Sequence, residues 1–162
     1  MGSDVRNEAR VRLLDLLGKS VRQSLRLRDF LEAEQAALRD QNVDELPALL
    51  SEKRRCVDTL KSLDQQRIAR CQEAGFPAGP AQMDAMCEWC DDGSALRDAW
   101  NELLDVADTC KSLNDTIGAV IHTRRTQAAK GLAVLVGGKS SGTYGRHASN
   151  GPTSRSRNLA EA

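Results

Sequence analysis

The sequence predicts an all-α protein: an antiparallel helical hairpin, a third long helix that completes a coiled-coil-like three-helix bundle, a short extra helix and a flexible C-terminal tail. Three observations predict it. Aromatic residues make up only 3% of the 162 residues, while Leu, Ala, Arg, Asp and Glu, all tolerated in long helices, dominate. Apolar residues recur every three or four positions through three long stretches, as one face of a helix requires. The four prolines fall at or beside the breaks between those stretches, or in the tail. The reading divides the chain into a helical domain, 1–136, and a Gly/Ser-rich tail, 137–162.

The first helix is predicted from Asp4 to about Asp40. Val11, Leu14, Leu17, Val21 and Leu25 recur at helical spacing, and Leu27, Leu31 and Leu38 carry a similar stripe onward. A polar break follows at Asp40-Gln41-Asn42-Val43-Asp44. Asp44 is placed to cap the second helix, with Pro47 in its first turn, where a missing N–H costs little. Leu46, Leu49, Lys53, Cys56, Leu60 and Leu63 then alternate spacings of three and four. Gly75 followed by Phe76-Pro77 is a stop, since Gly accepts a left-handed backbone and Pro forbids continuation. A short connection makes the two helices antiparallel neighbours.

Gly79-Pro80 opens a short segment with Met83, Met86, Cys87 and Cys90 on one face. Ser94 is placed to cap the helix after it. That third long helix, Ala95 to Val136, is expected to reach ~60 Å at 1.5 Å per residue. Leu96, Trp100, Leu103, Ala107, Cys110, Asn114, Ile117, Ile121, Arg124, Ala128 and Leu135 nearly keep one heptad seam. On this seam Asn114 reads as a buried polar residue that can fix register, and Gly118 as a place where another backbone approaches or the helix is merely loosened. The helix is expected to outrun its hairpin towards its C-terminal end.

The tail holds five Gly and five Ser, with four basic residues against one acid. Such a composition buries too little apolar surface to offset its ordering entropy. It does contain Tyr144, the chain's only tyrosine.

Composition excludes several classes. The 23 basic and 23 acidic residues cancel, which weakens the case for a nucleic-acid binder. The longest strictly apolar runs reach five residues, far short of the roughly 20 that a membrane span needs. The N-terminus lacks an apolar stretch behind a basic one, so no signal peptide is expected, and Arg6 stands where myristoylation wants Ser or Thr. Five cysteines without an export signal are expected to be reduced thiols.

Candidate chemistry is thin. Cys87-Glu88-Trp89-Cys90 has zinc or redox spacing, but there is no second such pair, and the strand-bearing setting of a redox dithiol is missing. The simpler reading makes both cysteines small apolar residues beside Met83 and Met86. Gly137-Gly138-Lys139-Ser140 lacks the preceding glycine and strand of a phosphate-binding loop. His122 and His147 sit on a charged helix and in the tail, neither placed to activate a nucleophile. Arg155-Ser156-Arg157 reads as part of a solubilising end. No enzyme, cofactor or metal is expected.

Against this background the third long helix and tail carry a resemblance. Leu113-Asn114, Gly118-Ala119-Val120-Ile121, the run Ala129-Lys130-Gly131-Leu132-Ala133-Val134-Leu135, then Gly142-Thr143-Tyr144-Gly145 and Asn150-Gly151 follow in order. Upstream stand Glu34-Gln35-Ala36-Ala37-Leu38 and the pattern from Leu46 through Lys53 to Leu60. Over about residues 25–151 the chain resembles the FlgN-like family of flagellar type III export chaperones. Ile117 stands where the family often has a second Asn, and extra residues separate Tyr144 from Asn150-Gly151.

The resemblance implies a cytoplasmic protein that binds hook-associated (hook–filament junction) proteins through their C-terminal helical regions. It would prevent their premature assembly and bring them to the cytoplasmic domain of the export gate. Partner-binding residues are then expected at Asn114, Gly118, Val120, Ile121, Leu132, Val134, Leu135 and Tyr144. The alternatives are a structural coiled-coil adaptor, its seam completed by a second copy as a homo-oligomer, and a cysteine-based metal or redox protein.

Overall fold

The computed structural model describes residues 2–90 and 93–137. Four α-helices make up almost all of it: α1 (Gly2–Arg39), α2 (Leu46–Glu73), α3 (Gln82–Cys90) and α4 (Ala95–Gly137). A single 3-10 turn, Val43–Glu45, precedes α2, and there is no strand among the described residues. The fold is therefore the expected all-α one: two long helices as a hairpin, a short helix and a third long helix. By its contacts the chain divides into two compact units, 1–123 and 124–162.

Both hairpin helices end by the same device. At the end of α1 the Asn42 N–H donates to the Ala37 carbonyl at 2.9 Å and the Gln41 N–H to the Leu38 carbonyl at 3.3 Å. At the end of α2 the Phe76 N–H donates to the Cys71 carbonyl and the Gly75 N–H to the Gln72 carbonyl, both at 2.9 Å. These paired bonds satisfy carbonyls that a helix end leaves orphaned, and they need a left-handed residue at the turn. Gly75 supplies it at φ 94° without strain, as its sequence position predicts; Gln41 supplies it at φ 58° in spite of its Cβ.

The helix starts differ from expectation. Asp44 lies within the 3-10 turn, and the residue before α2 is Glu45, which makes no side-chain cap bond; Pro47 does occupy the first turn. Ser94 takes φ 83° rather than the extended backbone of an N-cap, and its hydroxyl donates to Asp98 Oδ2 at 2.9 Å.

Within unit 1–123 the core forms two clusters. Leu13 and Leu17 of α1 meet Cys71 of α2, Met83, Met86 and Cys87 of α3, and Leu96 of α4. Further along, Leu31 and Leu38 of α1 meet Cys110 and Ile117 of α4, flanked by Leu27, Leu46, Val106, Leu113 and Ile121. Moving along α1 thus moves the same way along α4, which runs parallel to it, while α2 returns antiparallel. Between the clusters the small side chains Ser20 and Ser24 are buried, and Cys110 Sγ donates to the Ser24 carbonyl at 3.4 Å.

Serving neighbours on more than one side gives α1 a wide buried surface. Leu16, Ser20 and Ser24 join the predicted Leu17 and Val21, whereas Val11 is 53% exposed. The stripe of α2 is the predicted one, with Cys56 and Leu63 buried and Leu46, Leu49, Lys53 and Leu60 half-buried.

One side chain ties three helices together. Arg67 of α2 lies over the Trp100 ring of α4, 4.9 Å from its centroid. It donates to Gln82 Oε1 of α3 at 3.3 Å and pairs with Asp64 at 2.8 Å. Gln82 in turn donates to the Phe76 carbonyl at 2.9 Å, which holds the connection into α3.

Candidate functional site

The predicted partner-binding residues belong to α4 and the tail, so the register of α4 decides what each can do. Along α4 in unit 1–123 the apolar residues that are buried or half-buried are Leu96, Ala99, Trp100, Leu103, Val106, Cys110, Leu113, Ile117, Val120 and Ile121. The seam thus passes through Val106 and Leu113, one residue before the predicted Ala107 and Asn114. Leucine and valine fill a core position better than alanine and asparagine, and they take it.

Asn114 is accordingly exposed and does not act as a buried register residue. Gly118 is exposed too, and a Cβ added there would meet nothing within 4 Å, so among the described residues no backbone approaches it. Val120 and Ile121 are half-buried, and Ile121 packs against the cluster of Leu31, Leu38, Cys110 and Ile117. Part of the apolar surface expected for a partner therefore already serves the fold.

In unit 124–162 the described residues are 124–137. From Arg125 to Gly137 every one is exposed, with Leu132 at 63%, Val134 at 74%, Leu135 at 69% and Val136 at 72%. Four large apolar side chains within five residues are thus left in water, a cost that a covering partner removes. Tyr144, the remaining predicted contact, lies outside the described residues, as do His147 and Arg155-Ser156-Arg157.

Charge is segregated along the chain. Residues 124–162 carry seven basic side chains and one acidic, against sixteen and twenty-two in 1–123, or +6 against −6. The neutral total conceals this division.

The cysteines lie in or beside the core. Cys56, Cys71, Cys87 and Cys110 are buried, and Cys90 is half-buried. Cys71 Sγ contacts Met83 Sδ at 3.8 Å, and burial pushes the Cys71 thiol above its ordinary value, as it does for Cys56 and Cys110. Among the described residues no three or more His, Cys, Asp or Glu side chains are grouped to hold a metal ion. A shallow recess between the start of α1 and the end of α2 is lined by Val5, Glu8, Arg12, Arg70 and Glu73. Its arginines pair with its carboxylates, Arg12 with Glu8 and Arg70 with Glu73, as ordinary surface ion pairs do.

These features define a class: an all-α helical protein with an exposed apolar end on its last long helix. The family model for the FlgN protein matches residues 10–151, most of the chain. The chain belongs to the FlgN family, whose members are chaperones of flagellar export. No curated protein and no solved structure matches it. No helix among the described residues is long and apolar enough to cross a membrane.

Proposed function

We propose that this chain is a cytoplasmic export chaperone that binds hook-associated proteins through their C-terminal helical regions. It shields them from premature assembly and delivers them to the cytoplasmic domain of the export gate. The observation that carries this reading is the exposed apolar end of α4, Leu132, Val134, Leu135 and Val136, in a chain of the FlgN family. Asn114, Gly118, Val120 and Ile121 contribute what the fold leaves exposed of them, and Tyr144 adds an aromatic anchor from the tail. A client must later be released, so a modest interface on a helix end suits the task.

The test is capture of a purified hook-associated protein by the full chain and by a 1–136 truncation. Strong capture by the full chain and weak capture by the truncation support the reading with the tail as recognition element. A full chain that captures nothing overturns it. A tight oligomer whose formation no client disturbs would instead make the chain a structural adaptor, its exposed helix end covered by a second copy.

A further inference from the structure

The exposed end of α4 is not uniformly apolar. Arg125, Ala128, Leu132 and Leu135 are spaced three, four and three residues apart, so they fall on one face within about 80° of arc. This is the spacing of a helix that packs against another helix. All four are exposed. Arg125 lies about 20° from Leu132 on one side and about 20° from Val136 on the other, so it stands within the apolar stripe, while Lys130 lies on the opposite side.

A helix docking on this stripe covers the Arg125 guanidinium. Desolvating that charge is unfavourable unless a carboxylate meets it, which a planar guanidinium accommodates with two parallel hydrogen bonds. Among the described residues no carboxylate forms an ion pair with Arg125, and in sequence no Asp or Glu occurs between Asp115 and Glu161. The small side chain of Ala128, one turn along the stripe, leaves room for a facing helix to come close.

Resting on the docking function above, we propose that the partner seated here is an amphipathic helix carrying a carboxylate beside its apolar stripe, with Arg125 selecting it. The +6 charge of 124–162 attracts such a segment at long range, and the Arg125–carboxylate pair fixes its register. A lipid-binding helix would instead keep its cations on the polar flanks, away from the centre of the apolar face.

The experiment measures binding of the full chain to two fluorescent synthetic helices of about 20 residues, long enough to hold helix in water. They share one Leu/Ala stripe and carry either Glu or Lys beside it. The expected result is roughly tenfold tighter binding of the Glu peptide, a margin that shrinks with added salt. Arg125→Glu should reverse the preference, and Arg125→Ala should erase it, both with unchanged helical circular dichroism. Equal binding of the two peptides, or a preference that survives Arg125→Glu, overturns the proposal. So does tighter binding to phosphatidylserine vesicles than to the Glu peptide, or salt-sensitive self-association that excludes both peptides. A purified hook-associated protein separates the two levels. If wild type and Arg125→Glu hold it equally, this inference fails and the chaperone reading stands; if wild type does not hold it, the chaperone reading itself fails.

Discussion

Lys53 Nζ of α2 lies 2.7 Å from Glu34 Oε2 of α1, and the Glu34 side chain is only 5% exposed. Glu34 opens the Glu-x-x-Ala-Leu stretch at the end of α1, and Lys53 is the one charged position of the α2 stripe. Two residues that in the sequence looked like separate parts of helical patterns are thus one clasp across the hairpin. A buried carboxylate adds little net stability, but removing its partner strands it. Lys53→Met should therefore cost ~3 kcal/mol, whereas Glu34→Leu with Lys53→Met should cost far less. Urea unfolding of the two singles and the double measures this coupling; additive losses would show that the clasp contributes nothing.

The two helix ends closed by paired carbonyl bonds are not equally relaxed. Gly75 meets the left-handed backbone freely, whereas Gln41 bears a Cβ at φ 58°. Gln41→Gly should stabilise the protein by about 0.5–1 kcal/mol, and Gly75→Ala should destabilise it by at least as much. Thermal unfolding of both variants decides, and a destabilised Gln41→Gly would contradict the backbone argument.

The register of α4 makes neighbouring substitutions behave differently. Leu113→Ala, on the packed seam, should cost ~1–3 kcal/mol, while exposed Asn114→Ala should stay within about 0.5 kcal/mol. Gly118→Ala, in open space within a helix, should stabilise by up to ~1 kcal/mol. If Gly118 is open so that a client helix can approach, that same stabilised variant should bind a hook-associated protein more weakly. Unchanged client binding would confine Gly118 to a helix-weakening role.

The buried thiols set an alkaline limit. For Cys56, Cys71 and Cys110 burial raises the thiol above its ordinary value of 9.0, so unfolded chains give up these protons more readily than folded ones. Their contribution to stability is complete below pH 9 and declines as pH rises from there towards the folded-state values. Thiol labelling at pH 8 should modify half-buried Cys90 first and Cys71 only on unfolding. Rapid labelling of Cys71 in the folded protein would contradict the packing around it.

Much of this architecture is legible in the sequence, because long helices advertise themselves by spacing. The α2 stripe and the Gly75 stop were readable since each has one apolar solution. The α4 seam was not, because Val106 and Ala107, or Leu113 and Asn114, are adjacent and each fits beside Leu103, Cys110 and Ile117 at heptad spacing. The breadth of α1 escaped for a different reason: its buried Ser20 and Ser24 are polar in sequence and become core only because two helices meet there. At the site, a helix expected to outrun its hairpin made the exposure of Leu132, Val134 and Leu135 legible, whereas the half-burial of Val120 and Ile121 is visible only once the fold is known. Arg125 was passed over because a charged residue on a long helix is ordinarily just solvated.

The contact from Cys110 to Ser24 joins residues 86 positions apart, whereas the Glu34–Lys53 clasp joins residues only 19 apart. Closing the shorter loop costs less chain entropy, so the hairpin forms ahead of the α1–α4 contacts. The order of folding then follows the order of synthesis, with α1 and α2 paired before α4 has its surface to settle on. Pulse-labelling hydrogen exchange should show amide protection arising in α1 and α2 first and in α4 between Leu96 and Ile117 afterwards. On a ribosome the same sequence of events would leave the exposed apolar end of α4 as the last described part of the protein to be made.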